Sequence, residues 1–349
     1  MLALTGAACS NDGDGGGETD PGVKVGLLLP DSRVARWGKF DRPLIEKKLK
    51  ELCDTCSMDY SNARGDVATQ QQQMDSMITN GVDVLILGAV DATALSSSVD
   101  RAYDADIPVV AYDRLAEGPI SAYASFDGNE VGRLQGEALL KGMGDQADGG
   151  QIIMVNGDVV ADPNAVSFKQ GALSAFQNQV KIGKMYDVQA YLPETAYADV
   201  SGAIGALGAD NIDGVYVAND GLAAGVISAL KASHVAPLPP VTGQDAELAA
   251  LHRIIAGDQY MTIYKPFKPE ADAAAELALA LGRDGDLDNI AKDKISNSSG
   301  REIPAVLLTP VSVTVENIKD TVIRDSMYTI GQLCTPKFAS ACEKAGLLD

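Results

Sequence analysis

Residues 23–31, V-K-V-G-L-L-L-P-D, combine a short run of apolar residues with a proline and an aspartate at its end. A run of this length predicts a buried β-strand that stops at a polar loop. Similar runs follow, and segments with the period of an amphipathic helix separate them. The predicted strands of this first series are 23–29, 56–60, 82–87, 107–112 and 121–126.

A second series of short apolar runs and amphipathic segments begins after Gly150. Its predicted strands are 151–155, 181–186, 214–218, 240–243 and 260–264. Strands that alternate with helices indicate parallel sheets with crossover helices, and 349 residues exceed the usual length of one domain. The sequence therefore predicts an α/β fold with two Rossmann-like lobes, each built on a parallel sheet.

A helix predicted at 270–281 and a strand at 305–308 are left over after these two series. We therefore expect a hinge of three segments, near 126–130, 265–269 and 309–311, two of which prolines stiffen. The N-terminal lobe is assigned residues 23–128 plus 267–309. The C-terminal lobe is assigned residues 129–266 plus 310–349.

Composition excludes several classes of function. The chain has 48 acidic and 28 basic residues, a formal net charge of −20, which would repel nucleic acid and anionic membrane surfaces. Glycine-rich nucleotide-binding motifs and the esterase motif G-x-S-x-G are absent from strand–helix junctions. Only two histidines occur, both in or beside predicted helices. We expect no cofactor, no metal ion and no catalytic residue.

The first 22 residues differ in character from the rest of the chain. Residues 1–8, M-L-A-L-T-G-A-A, are small and apolar, and they lead through Cys9 into a polar, glycine-rich stretch. This pattern predicts the end of a lipoprotein signal peptide with a lipid on Cys9, followed by a flexible linker. A plain linker without a lipid is the alternative. Since no run of about 18 apolar residues occurs, the lipid would be the only contact with a membrane.

The other four cysteines form two close pairs, Cys53 with Cys56 and Cys334 with Cys342. An exported chain would oxidise both pairs, so we predict two short-loop disulfides. A thioredoxin-type redox motif at the first pair is an alternative, but it requires an exposed cysteine at a helix N-terminus, and this pair follows a predicted helix. A four-cysteine zinc site also fits the spacing, although no further ligands lie nearby.

Polar residues recur directly after the predicted strands. In open parallel sheets the carboxyl ends of the strands border the crevice where ligands bind. Amides, carboxylates and cations suit a ligand with many hydroxyls, and an aromatic ring covers the apolar face of a pyranose. Core packing is the alternative role for the tryptophan, and helix capping is the alternative for the aspartates. The candidates are Arg36, Trp37, Asp113, Arg114, Asn164, Asn219, Asp220, Asp245 and Lys265.

Several blocks in this order give the chain a family resemblance: A-R-W-G-K-F-D at 35–41, A-Y-D-R at 111–114, A-N-D-G at 218–221, G-Q-D-A-E at 243–247 and M-T-I-Y-K-P at 261–266. From residue 23 to the end, the chain resembles the periplasmic sugar-binding proteins of ABC transporters with the type I fold. The resemblance implies a monosaccharide ligand, D-xylose or a related aldopyranose, and an ABC transporter permease as partner. It also implies an extracytoplasmic, monomeric protein.

The resemblance further implies roles for individual residues. The positions that match the family's ligand positions are Arg36, Arg114, Asn164, Asn219, Asp245 and Lys265, with Trp37 stacking on the sugar. Tyr191, in Q-A-Y-L-P-E, stands at the position of the second aromatic platform. A sugar sensor that signals to a chemoreceptor or histidine kinase is a competing hypothesis. An enzyme that uses Asp and Lys as acid and base is a third.

Overall fold

The computed structural model describes residues 22–32, 34 and 36–348. Short strands and longer helices alternate along the chain. The strands are β1 Lys24–Leu29, β2 Ser57–Asn62, β3 Val84–Leu87, β4 Val109–Tyr112, β5 Ala122–Phe126, β6 Gln151–Asn156, β7 Lys181–Asp187, β8 Gly214–Val217, β9 Thr262–Tyr264, β10 Asp293–Ser296, β11 Glu302–Leu308 and β12 Val311–Val313.

The helices cover the faces of the sheets. They are α1 Arg42–Leu52, α2 Val67–Thr79, α3 Ser96–Asp104, α4 Gly128–Met143, α5 Pro163–Phe176, α6 Pro193–Leu207, α7 Asp220–Ala232, α8 Leu248–Ala256, α9 Phe267–Leu281, α10 Ile330–Leu333 and α11 Ala339–Lys344. A π-helical turn, Trp37–Asp41, leads directly into α1. Further single turns lie at Gly144–Ala147, Gln189–Tyr191, Ala209–Asn211 and Lys319–Ile323.

The first lobe contains a seven-stranded sheet in the order β10-β11-β5-β4-β3-β1-β2. All neighbours are parallel except β10 and β11, which are antiparallel. The central strands are buried on both faces, as parallel strands between two helix layers are. Helices α1 and α9 pack on one face and α2 and α3 on the other, which produces two apolar cores.

The second lobe contains the parallel strands β7-β6-β8 and the antiparallel pair β9 and β12. Two isolated bridges, Val215 to Val241 and Gln244 to Ile263, link these two groups of strands. The strand predicted at 240–243 therefore forms only bridges. Thr242 donates to the Val215 carbonyl and Tyr260 donates to that of Val241, but Pro239 and Pro240 have no backbone N–H, so the pairing does not extend towards the N-terminal side of this segment.

The chain passes between the two groups of sheets at three places. Strand β5 leads to α4, β9 leads to α9, and β11 leads to β12. Helix α9 packs on the seven-stranded sheet, whereas α4 packs against α5 of the other lobe. The predicted two-lobed α/β fold with three connecting segments is confirmed. The lobe boundaries at particular residue numbers stay a prediction.

Two disulfides join neighbouring segments. Cys53 and Cys56 are bonded with their Cα atoms 5.3 Å apart, and Cys334 and Cys342 are bonded with theirs 5.8 Å apart. Within the described residues, no group of three or more potential metal ligands lies together, and no helix is long and apolar enough to cross a membrane. The predicted lipid attachment at Cys9 lies outside the described residues.

Candidate ligand-binding site

A cavity of about 340 Å³ lies between the two lobes, at the carboxyl ends of their strands. Every ligand-binding residue predicted from the sequence, except Asp220, lines this cavity. We call this cavity the cleft site. Its lining residues are Val34, Arg36, Trp37, Asp113, Arg114, Asp162, Asn164, Phe168, Tyr191, Asn219, Gln244, Asp245 and Lys265.

Arg36 is held by three carboxylates. Its Nε and Nη2 donate to the two oxygens of Asp41 at 2.9 Å each, Nη1 donates to Asp113 at 2.6 Å, and Nη2 also reaches Glu270 at 2.5 Å. The π-helical turn places Asp41 five residues after Arg36 so that the two side chains meet. Burial raises the pKa of Glu270 to about 8. The charge of Arg36 lowers this pKa, and the charges of the neighbouring carboxylates raise it. The guanidinium therefore has a fixed orientation towards the cleft site.

Asp113 stands directly after β4 with φ of 59°, a backbone conformation that is uncommon for a residue with a side chain. Its carbonyl oxygen accepts hydrogen bonds from Tyr123 and Ser125, both at 2.8 Å, which hold this conformation. Burial alone would raise the pKa of its carboxyl, but the charges of Arg36 and Lys265 outweigh burial and lower the pKa. Asp113 is thus an ionised acceptor in the cavity wall.

Lys265 connects the two lobes electrostatically. Its Nζ lies 3.3 Å from Asp245 Oδ1 and 3.5 Å from Asp113 Oδ1, and the side chain is only 4% exposed. Asp113 follows β4 of the first lobe, whereas Asp245 lies in the loop before α8 of the second. Burial lowers the pKa of Lys265, but these two carboxylates outweigh it and raise the pKa above its ordinary value. One ammonium group therefore compensates a carboxylate from each lobe.

Arg114 faces the second lobe on the opposite side of the cavity. Its Nη1 donates to the carbonyl of Ala89 at 3.0 Å, and its Nε lies 3.3 Å from Asp162 Oδ2. That second contact is an ion pair without hydrogen-bond geometry, because Arg114 Nε has no hydrogen-bond partner among the described residues. The hydroxyl of Tyr191 donates to the same Asp162 oxygen at 2.8 Å. Arg114, Asp162 and Tyr191 thus form one polar wall.

Asn164 occupies the start of α5. Asp162 is the N-cap of this helix and accepts from the Asn164 backbone N–H, and Pro163 takes the first helical position, which suits a residue without an N–H. The Asn164 amide donates to the Asp113 carbonyl at 2.9 Å, across the cleft. Pro163 is therefore compatible with an Asn164 side chain that points into the cavity.

Trp37 combines both roles considered for it. The residue is 2% exposed and belongs to the apolar core of the first lobe, yet its ring also lines the cavity. The guanidinium of Arg36 lies 4.6 Å from the ring centroid and that of Arg114 lies 5.8 Å from it. Its Nε1 has no hydrogen-bond partner in the described part of the chain. Trp37 thus has an unpaired N–H in a side chain that lines the cavity.

Asp220 does not line the cavity. Its carboxylate accepts from Gln259 at 2.8 Å, from Thr262 at 2.9 Å and from the Glu247 backbone at 2.9 Å. Burial, reinforced by the charge of Glu247, raises the pKa of Asp220 to about 8. Asn219, one residue earlier, lines the cavity and also caps α7 by accepting from Leu222 at 2.9 Å. The side chain of Asp220 therefore links segments inside the second lobe.

The candidate set from the sequence did not include several residues of the site. Phe168 lines the cavity four residues after Asn164, and this spacing on one helix face was the available signal. Asp41 and Glu270 orient Arg36 without lining the cavity. No sequence pattern indicates the contact between Arg36 and Glu270, because 234 positions separate the two residues.

Comparison with known proteins places the chain in a family. The chain is 37% identical over 317 residues to the D-xylose-binding periplasmic protein of Escherichia coli (strain K12), covering 89% of this chain and 92% of that protein. It is 32% identical to the multiple sugar-binding periplasmic receptor ChvE of Rhizobium radiobacter, covering 88% and 92%.

A solved structure agrees with this assignment. An ABC transporter solute binding protein from Clostridium phytofermentans, solved with bound β-D-glucose, superposes with a TM-score of 0.82 at 29% identity, covering 89% of this chain and 99% of that one. Residues 25–285 match the family model of the periplasmic binding protein domain. The chain therefore belongs to the periplasmic binding protein family.

Proposed function

We propose that this protein is an extracytoplasmic solute-binding protein that captures a neutral monosaccharide, D-xylose first among the aldopyranoses, and delivers it to an ABC importer. The observation that carries the proposal is a set of buried polar atoms in the cleft site without hydrogen-bond partners. Among the described residues these are Trp37 Nε1 and Arg114 Nε, which are donors, and Gln244 Oε1, which is an acceptor.

A hydroxyl group suits all three atoms. It accepts from the two donors and donates to the amide oxygen, whereas a carboxylate could serve only the donors. A buried polar atom without a partner costs about 1–3 kcal/mol. A ligand that carries several hydroxyls would therefore bind here because it satisfies atoms that the protein leaves unpaired.

The charges around the cavity favour a neutral ligand. Three cations line it, Arg36, Arg114 and Lys265, and each already has a carboxylate partner. Arg36 pairs with Asp41 and Asp113, Arg114 with Asp162, and Lys265 with Asp113 and Asp245. An ionic ligand would leave one sign in excess in a poorly solvated site, and an uncompensated buried charge costs several kcal/mol.

The size of the site favours a single sugar ring. The cavity, about 340 Å³ including its opening to solvent, is narrow and leaves room for a small ligand only. The name of the relative at 37% identity supports D-xylose as the ligand. The Clostridium protein was solved with bound β-D-glucose, so glucose is the main alternative ligand.

The mechanism that follows is closure of two lobes around the sugar. Lys265 and Asn164 reach across the cleft to Asp113, so the closed arrangement has polar contacts between the lobes. A sugar that shares hydrogen bonds with both lobes would shift the population towards this arrangement, which the permease would recognise. In this proposal the protein releases its ligand unchanged and is not an enzyme. It acts as a monomer, held near the membrane by a lipid on Cys9.

The test is a calorimetric and thermal-shift panel of D-xylose, D-glucose, D-galactose, L-arabinose and D-ribose. A sugar present at 1,000 times its Kd stabilises the folded protein by about 4 kcal/mol. Gln244→Leu removes the unpaired acceptor and should weaken xylose binding roughly 5- to 100-fold. Gln72→Leu, on an exposed position of α2, is the matched control. No binding of any panel sugar by the wild type would refute the proposal.

A further inference from the structure

The loop of residues 243–247, G-Q-D-A-E, brings Gln244 and Asp245 to the wall of the cleft site. Its backbone has a positive φ at two successive residues, 92° at Asp245 and 47° at Ala246. Neither residue is a glycine, so this conformation is strained and persists only where the surroundings enforce it. The position of the Asp245 carboxylate therefore depends on contacts that hold the 243–247 loop from outside the cleft site.

Thr262 holds the first backbone N–H after Asp245. The Ala246 N–H donates to Thr262 Oγ1 at 3.1 Å, and this hydroxyl donates in turn to Asp220 Oδ2 at 2.9 Å. Thr262 begins β9, is fully buried and does not line the cleft site. Its hydroxyl is thus a relay that joins the 243–247 loop to Asp220.

Asp220 holds the next backbone N–H of the loop. The Glu247 N–H donates to Asp220 Oδ2 at 2.9 Å, and the Gln259 amide donates to Oδ1 at 2.8 Å. At the other end of the loop, a Cβ atom on Gly243 would lie 2.0 Å from Asp220 Oδ1, so only glycine permits this close approach. Both ends of the 243–247 loop therefore lie against one fully buried carboxyl group.

We infer that Thr262 and Asp220 are positioning residues for sugar binding, which act through Asp245 without touching the sugar. The inference rests on the proposed function of the cleft site. Without the relay, the two residues with positive φ relax towards ordinary backbone conformations, and only a fraction of the molecules presents Asp245 to the sugar. The apparent Kd then rises in inverse proportion to that fraction.

The test removes the Thr262 hydroxyl and measures D-xylose binding by calorimetric titration. Thr262→Val keeps the shape of the side chain and removes the relay, whereas Thr262→Ser keeps the hydroxyl. We expect Thr262→Val to raise the Kd about tenfold, as a competent fraction of about one tenth would, and Thr262→Ser to stay within about threefold of the wild type. Thr321→Val is the matched control. Thr321 is a buried threonine whose hydroxyl donates to the Asn317 carbonyl, and its replacement should leave the Kd unchanged.

A double-mutant cycle locates the effect. If Thr262 acts through Asp245, Thr262→Val should raise the Kd of Asp245→Asn by less than about threefold, because the carboxylate that the relay positions is no longer present. The same tenfold increase in both backgrounds would demonstrate that Thr262 acts elsewhere, and it would overturn the inference. An unchanged Kd in a folded Thr262→Val protein would also overturn it.

Amide hydrogen exchange of the sugar-free protein measures the loop directly. The Ala246 and Glu247 N–H groups should exchange at least about tenfold faster in Thr262→Val than in the wild type, while those of α5 keep their rates. Unchanged exchange at both groups contradicts the inference. If Thr262→Val does not melt cooperatively, Asp220→Asn, which keeps the volume and removes one acceptor, replaces it with the same expected outcomes. If the wild type binds no sugar while the exchange result holds, the proposed function fails and the role of the relay in binding fails with it.

Discussion

Replacement of Lys265 by methionine should greatly reduce sugar affinity while retaining the fold. Methionine keeps the length and the apolar stem of the side chain but removes the ammonium group. The Nζ atom lies 3.3 Å from Asp245 and 3.5 Å from Asp113, one carboxylate from each lobe. Without it, the closed cleft brings together two buried carboxylates that have lost a shared counter-charge.

The magnitude follows from these distances. At an effective dielectric constant of about 20, each attraction is about 5 kcal/mol before desolvation. The desolvation of a buried ammonium offsets several kcal/mol, and removal of one partner from a buried ion pair costs about 3–5 kcal/mol. Asp113 keeps its contact with Arg36, so we take the lower value. About 3 kcal/mol corresponds to roughly a 100-fold increase in Kd.

The assay is calorimetric titration of Lys265→Met with D-xylose at neutral pH and low salt, beside Lys231→Met. Lys231 is half exposed and pairs with Asp258, so its replacement should change the Kd by less than twofold. If Lys265→Met binds xylose within threefold of the wild type, the proposed electrostatic link between the lobes is wrong. A folded variant with a Kd increased about 100-fold would support it.

Further predictions concern the site, its pH dependence and the C-terminal segment. Asp245 has φ of 92°, a conformation that asparagine tolerates better than alanine. Asp245→Asn should therefore lower xylose affinity at an unchanged melting temperature, whereas Asp245→Ala should lower both in parallel titrations. Burial raises the pKa of Glu270 from 4.5 to about 8, so the folded protein binds this proton more firmly than the unfolded chain does. The free energy of unfolding should accordingly fall as pH rises through this interval, and urea unfolding of Glu270→Gln should show a flatter pH dependence. Trp37 is the single tryptophan, so xylose should change the intrinsic fluorescence and Trp37→Phe should abolish that signal. Replacing Cys334 and Cys342 by alanine should lower stability by about 2–3 kcal/mol without changing the Kd for xylose.

The fold was largely predictable because its strands are buried on both faces. Short runs that are almost wholly apolar, such as residues 23–29 and 107–112, leave few alternatives to a central parallel strand, and the observed Lys24–Leu29 and Val109–Tyr112 lie within them. The segment at 240–243 has the apolar content of a strand but forms only isolated bridges, since Pro240 has no backbone N–H with which to extend them. Local apolar content therefore predicts a strand only where the backbone can also complete the hydrogen bonds.

The position of polar residues after strands predicted the location of the site but not the direction of each side chain. Asn219 and Asp220 are neighbours at the start of α7, yet only Asn219 lines the cavity. Consecutive side chains near a helix start point about 100° apart, so sequence position alone could not separate them. The contact between Arg36 and Glu270 joins residues 234 positions apart and required the tertiary structure.

The place of Lys265 in the chain explains why one cation can serve both lobes. It directly follows β9, whose partner is β12 of the second lobe, and it precedes α9, which packs on the sheet of the first lobe. A side chain at such a crossing lies beside both lobes, so it can contact a carboxylate of each. When the lobes rotate about the connecting segments, Asp113 and Asp245 move relative to each other, and the structure holds both within 3.5 Å of the same ammonium group. The charge of Lys265 therefore favours the arrangement in which the two carboxylates are close together, which is why its loss should appear in the Kd for the sugar.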